Sequence, residues 1–254
     1  MNDALALAWQ PYCGPAPTAA ALWSRWNLDP VLWLLLALAA FALAVAAARN
    51  ARVSRARAAA AWGVLALLFV SPLCAATSAL FAARVTHHVL LVAVAMPLLA
   101  RAWPVRAGAR SRLAEWTLLQ AGMFWAWHAP AAYAWTFSGD AGYWLMQATL
   151  GGSAWLFWRA LRGASAPAAL AALLATMLQM GLLGALLTFA PAPLYAPHLL
   201  STASFGITPL EDQQLGGLLM WVPASLLYAG MAAVRVRGAL APAQSVDARR
   251  NTAT

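Results

Sequence analysis

An all-α integral membrane bundle of seven transmembrane helices, N-terminus outside and C-terminus cytoplasmic, is the fold this sequence predicts, and three observations lead to it. Hydrophobic residues make up 63% of the 254 and charged ones 9%, with a mean hydropathy of +0.69. That leaves too few polar side chains to cover a water-soluble globule. Apolar stretches near the roughly 20 residues needed to cross a bilayer fall at about 31–48, 58–76, 84–102, 114–135, 141–158, 167–189 and 215–234. The arginines, which supply all sixteen basic residues, alternate in step with those stretches.

The clearest span is "AALAALLATMLQMGLLGALLTFA" (168–190), whose one strongly polar side chain is Gln179. Trp33, Trp103, Trp116, Trp135, Trp144 and Trp158 fall near span ends, as interfacial anchors do. Arg49, Arg52, Arg55 and Arg57 lie between spans one and two, and Arg101, Arg106, Arg110 and Arg112 between three and four. Arg159 and Arg162 lie between five and six, and Arg235, Arg237, Arg249 and Arg250 follow span seven. Fourteen of sixteen therefore share a side, with Arg25 and Arg84 on the other, and the positive-inside rule makes that shared side cytoplasmic. The expected organisation is an exterior Pro-rich segment at 1–30, a membrane domain at 31–235 and a cytoplasmic tail at 236–254. The opening "MNDALALAWQPYC" has neither a basic n-region nor an apolar stretch long enough for a signal peptide, so it is expected to be retained.

The net charge of +9 is topological. Short, scattered loops build no phosphate-tracking surface, so no nucleic acid is expected as a partner, and the arginines should meet anionic membrane lipids instead. No Gly-x-Ser-x-Gly, His-Glu-x-x-His, phosphate loop or dinucleotide fingerprint is present, and an enzyme is not expected.

Ionisable groups at membrane depth are costly and mark functional positions, normally facing the bundle interior. His87 and His88 sit about one turn into span three, and His128 about two turns below the outer end of span four, so the three share a depth. His198 lies in the exterior loop between spans six and seven. Both cysteines, Cys13 and Cys74, also fall on the outer half. A lone intramembrane histidine is equally well explained as a helix–helix hydrogen-bond partner; four on one side argue for more. Adjacent helical residues point about 100° apart, so His87 and His88 cannot both face one target.

Imidazole with thioether or thiolate suits Cu(I), and the outer half offers histidines, two cysteines and Met146 but few carboxylates. Helical offsets turn Met96 away from His88 and Met123 away from His128. Met220, seven residues after Gln213, shares its face. Methionine in an apolar helix is usually packing, and Met146 and Met220 carry that reading as well. Glu211 and Asp212 open the last span, where the macrodipole favours negative charge and Asp212 can act as a cap. The pairs Gly216 with Gly217, Gly151 with Gly152 and Gly181 with Gly184 are expected to let backbones approach closely. Cys13 and Cys74 suit a disulfide, copper ligation or two thiols, and the sequence does not choose.

"HHVLLVAVAMPLL" in span three, "WAWHAPAAYAW" (125–135) in span four and "DQQLGGLLMWVP" (212–223) entering span seven resemble the signature blocks of the CtaG-type cytochrome c oxidase assembly proteins, a bacterial polytopic family. Their order and spacing fit from about residue 26 to 235. The resemblance implies an assembly factor in the bacterial inner membrane that assists copper delivery or insertion. Oxidase subunits and a periplasmic copper donor would be its partners, and His88 the inward histidine. It points to His88, His128 and Asp212, with Pro97, Pro130, Tyr133, Gln213, Gln214, Gly217 and Met220 as further pattern positions. Two departures stand out: Arg84 and Met146–Gln147 occupy places where members carry histidine, so His87 or Met146 would have to substitute in a copper site. The alternatives are a membrane b-type haem protein with His88 and His128 as axial ligands and a copper transporter, which would need ligands through the inner half as well.

Overall fold

The computed structural model describes residues 9–104 and 112–251, with side chains described as far as residue 238. Arg106 and Arg110 of the arginine pattern lie outside the described residues, as do the side chains of Arg249 and Arg250 and much of the expected 236–254 tail. Every element among the described residues is helical.

Helix α1 (Pro30–Arg49) opens on Asp29, whose carboxylate accepts from the Val31 N–H at 2.9 Å, with Pro30 in the first turn where no donor is needed. Helix α2 (Arg55–Val70) is capped by the Ser54 hydroxyl. The stretch expected at 58–76 as one span breaks at Ser71. Pro72 forces its predecessor into extended backbone, ψ 169°, and the chain bends by 50° into α3 (Pro72–Ala79). After extended Leu80 come α4 (Phe81–Leu90), a π-helical stretch (Leu91–Ala95) and α5 (Met96–Ala102), together one apolar run of 22 residues. The stretch at 114–135 divides for the same reason as the earlier one: Ala129 is extended before Pro130, separating α6 (Leu113–His128) from α7 (Pro130–Trp135). Helices α8 (Asp140–Gly163) and α9 (Ala166–Thr188) follow. A loop with two 3-10 turns, Ala196–His198 and Thr202–Phe205, then leads to α10 (Pro209–Asn251), which starts earlier than the expected 215.

Among the described residues four helices are long and apolar enough to cross a membrane: Pro30–Arg49, Phe81–Ala102, Ala166–Thr188 and Pro209–Gly238. Counting bent α2 plus α3 as one span makes five. Leu34, Leu35, Leu38 and Phe41 on α1 and Leu178, Leu182 and Leu186 on α9 stand exposed, an apolar surface that suits lipid tails and marks a membrane protein.

Helices α9 and α10 touch backbone to backbone. A Cβ added at Gly217 would meet Thr188 Oγ1 at 2.4 Å and the Gly184 carbonyl oxygen at 2.6 Å, and one at Gly216 would strike the Phe81 ring at 2.4 Å. The Gly151–Gly152 pair does not behave this way. Gly151 faces the Leu91 and Met96 side chains at an ordinary 3.8 Å and Gly152 faces open space, so neither brings two backbones together.

The N-terminal segment is stitched over the end of the bundle that carries α3 and α7. Cys13 and Cys74 form a disulfide, the Gln10 N–H donates to the Phe137 carbonyl at 2.7 Å, and the Tyr12 hydroxyl donates to Asp29 at 2.5 Å. That last bond holds the Asp29 carboxyl below its ordinary range, while burial first and Asp29 second push the Tyr12 phenol up.

Candidate functional site: a polar core of histidines and one arginine

Helices α4, α6 and α7, the start of α10 and the α9–α10 loop meet around a group of buried polar side chains. Helix α4 contributes Arg84, His87 and His88, and α6 contributes His128 in its last turn; all four are at most 5% exposed. The His88 and His128 rings lie 6.4 Å apart between centroids and cross at 83°. His87 turns instead to Phe69, at 5.1 Å, and stays 5.8 Å from His88.

The nitrogens distinguish these rings. His128 Nδ1 sits 2.7 Å from the Phe124 carbonyl oxygen, which can only accept, so Nδ1 carries the proton and Nε2 keeps a lone pair in the neutral ring. His88 Nε2 is buried without a hydrogen-bond partner, and so are both nitrogens of His87, which the Leu68 carbonyl approaches outside bonding geometry. Unpartnered buried imidazole nitrogens are costly in a folded protein.

Arg84 is the largest fully buried side chain, 1% exposed. Its Nη1 donates to Thr136 Oγ1 at 2.6 Å, its Nε has no partner, and the guanidinium lies 4.0 Å from the Phe137 ring centroid and 5.2 Å from that of Tyr133. Aromatic faces and one hydroxyl thus stand where a carboxylate is usual. Thr136 passes the chain on, donating to the Tyr133 carbonyl at 2.7 Å. The Tyr133 hydroxyl and His198 Nε2 are hydrogen-bonded at 2.6 Å. His198 lies in the loop between α9 and α10, as expected, and is 1% exposed; burial first and the Arg84 charge second hold its pKa down at about 3.

Asp212 does cap a helix, but not its own. Its carboxylate reaches across to α4 and accepts the Phe81 N–H at 2.6 Å and the Ala82 N–H at 3.1 Å, replacing the cap that Leu80 cannot provide. The start of α10 is capped by Thr208 and Glu211, each accepting the other's backbone N–H. Gln213 is buried and ties the loop: its amide donates to the Leu187 carbonyl at 3.2 Å and its oxygen accepts the Leu194 N–H at 2.7 Å. Pro130 starts α7, and Gly217 makes the close approach to α9 described above. Gln214 is partly exposed.

Met146 and Met220 are buried at 0% and 1% exposure and belong to the apolar core cluster. Cys13 and Cys74, bonded to each other with the Tyr143 hydroxyl 3.6 Å from the Cys13 sulfur, are not free thiols in this structure. Among the described residues no three or more His, Cys, Asp or Glu converge as metal ligands. Sequence reasoning missed His198 and Thr136 as partners of this core. One lies in a loop without periodicity and the other at a helix end, and neither position carried a pattern.

No curated protein and no solved structure matches the chain. The family model of the cytochrome c oxidase caa3 assembly factor (Caa3_CtaG) matches residues 38–240, a stretch that runs from α1 into α10 and takes in the histidines, Arg84 and Asp212. The chain therefore belongs to the caa3-type cytochrome c oxidase assembly factor family.

Proposed function

We propose that this assembly factor passes Cu(I) toward cytochrome c oxidase from the outer side of the bacterial inner membrane, as cargo held briefly between His88 and His128. The observation that carries the reading is the pair of facing imidazoles, one with an unpartnered Nε2 and the other with Nδ1 committed to a carbonyl. A metal bound about 2 Å from one nitrogen of each ring spans such a separation. Two neutral imidazole nitrogens without a carboxylate suit copper better than a hard ion such as magnesium or calcium. Arg84, whose charge acts on His88, opposes a cation nearby. Copper is then held loosely enough to be surrendered.

In this reading the chain crosses the membrane seven times, bent α2–α3 and the α6–α7 pair each counting as one span and α8 as another. The arginine-rich ends lie in the cytoplasm. A periplasmic donor supplies the metal, oxidase subunits receive it, and the protein performs no turnover of its own. The b-type haem alternative fares less well, because Phe81 and Phe124 pack against His128 where a porphyrin disc would have to enter.

The test is Cu(I) stoichiometry of the purified protein against a competing chelator. Wild type is expected to hold about one ion, and His88→Ala combined with His128→Ala to lose it, a drop of roughly a hundredfold or more in affinity. Met146→Leu is expected to change little. Absence of binding by the wild type overturns the copper reading and leaves a scaffold role in oxidase assembly; a Soret band in the absorption spectrum would favour haem.

A further inference from the structure

At the end of the bundle away from the histidines, a cavity of about 490 Å³ is lined by Arg101, Arg162 and Arg235 together with Pro97, Trp158 and Val234. Arg101 lies thirteen residues past His88 and Arg235 twenty-three past Asp212, which at 1.5 Å per residue puts the cavity about 20–35 Å from the polar core along the helices. Three helices bring the arginines together, and two of the three guanidinium groups meet a helix end. Arg162 Nη1 donates to the Ala100 and Trp103 carbonyls, both at 2.5 Å, and so closes the end of α5. Arg235 Nη2 donates to the Leu161 and Ala164 carbonyls and closes α8. Arg57 adds a fourth charge beside them, its Nη1 3.5 Å from the Arg101 carbonyl oxygen.

Those bonds leave donors unspent. A guanidinium carries five N–H groups, and Arg101 uses one at 3.4 Å against the Met231 sulfur. The electrostatic neighbours of Arg101 are Arg57, Arg162 and Arg235, all of its own sign. Among the described residues the one ion pair is Arg112 with Glu115, so no carboxylate offsets the cluster. The dipoles of two helix C-termini, each equivalent to about half a negative charge, do not balance it either. The remaining wall is apolar, and Val234 is 61% exposed on the outward surface, which makes the cavity continuous with the surface that faces lipid tails.

We propose that this cavity is a specific site for an anionic phospholipid, with Arg101, Arg162 and Arg235 holding the headgroup phosphate and the Pro97–Trp158–Val234 wall receiving the first acyl carbons. Free inorganic phosphate shares the headgroup chemistry but leaves that wall uncovered. The site is independent of the copper reading, since it uses none of the histidines.

Native mass spectrometry of the full chain in neutral detergent tests it, with phosphatidylglycerol and phosphatidylcholine of identical acyl chains as probes. Phosphatidylglycerol is expected to bind about tenfold more tightly, and the preference to shrink at high salt. Arg101→Gln is expected to cut the preference several-fold, whereas Arg52→Gln, an exposed loop arginine, leaves it unchanged. Equal retention of the two lipids overturns the site, as does an equal loss with Arg52→Gln. Displacement of phosphatidylglycerol by millimolar inorganic phosphate assigns the cavity to free phosphate and overturns the lipid. Should Arg101→Gln fail to fold, Trp158 reports on the wild type. Brominated phosphatidylglycerol is expected to quench fluorescence more than brominated phosphatidylcholine, a difference that vanishes in Trp158→Phe, and no difference overturns the proposal.

Discussion

The two ends of the bundle use arginine in opposite ways. At the histidine end Arg84 is enclosed, and the ring faces of Phe137 and Tyr133 and the hydroxyl of Thr136 take the place of an acid. At the other end Arg162 and Arg235 stand half-buried at the rim and satisfy helix C-terminal carbonyls. The difference lies in the backbone. A helix C-terminus exposes carbonyls that a guanidinium can cap, whereas Arg84 sits in the first turn of α4, where the carbonyls already serve the helix's own hydrogen-bond ladder. A rim arginine is therefore replaceable by water or lipid, and a buried one is bound to a single arrangement of neighbours.

That contrast predicts where the molecule is fragile. The largest effect is expected at Asp212, the cross-helix cap. Asp212→Ala leaves the Phe81 and Ala82 N–H groups buried without acceptors and should cost about 3–5 kcal/mol, read as a large fall in thermal midpoint in detergent, with Asp212→Asn falling less. A variant as stable as wild type would show that the histidine end does not depend on its polar contacts.

His198 comes next. Its folded pKa of about 3 lies below the ordinary 6.5, so on acidification the unfolded chain takes up a proton that the native state refuses. Stability present above pH 6.5 is lost as pH falls from there toward 3, by about 2 kcal/mol at pH 5. His198→Gln should flatten that part of the pH dependence, measured as the difference in midpoint between pH 7.5 and pH 5; an unchanged slope would mean that the ring is not enclosed. The smallest effect is expected at the rim: Arg57→Gln, exposed and contributing a 3.5 Å bond, should stay within about 0.5 kcal/mol. A loss rivalling that of Asp212→Ala would erase the contrast between the two ends.

Much of the site was legible because helical spacing converts directly into depth. His88 and His128 were expected at one level, and their rings are in contact. Glycines at 184, 216 and 217 announced close packing, and the structure puts backbone or ring against each. The breaks at Ser71 and Ala129 were written in Pro72 and Pro130, but a hydropathy window averages across a proline and sees one apolar run where the backbone has two. Contacts such as Asp212 to Phe81, 131 residues apart, and Tyr133 to His198, 65 apart, leave no periodic trace in the chain. Neither does the pairing of Cys13 with Cys74, one of three fates open to those thiols.

By itself the sequence determined that this is an all-helical membrane protein with its histidines toward one end and most of its arginines toward the other, because hydropathy and charge act locally and survive as pattern. Its three motif blocks carried the family as well. Only the tertiary structure decided which histidine meets His128, that Asp212 serves a helix other than its own, that Arg84 is stabilised by aromatic faces, and that three arginines from separate helices surround one cavity. Those outcomes depend on which helix packs against which, a choice settled by glycine contacts and capped ends acting over more than a hundred residues, and no short stretch of sequence contains both halves of such a contact.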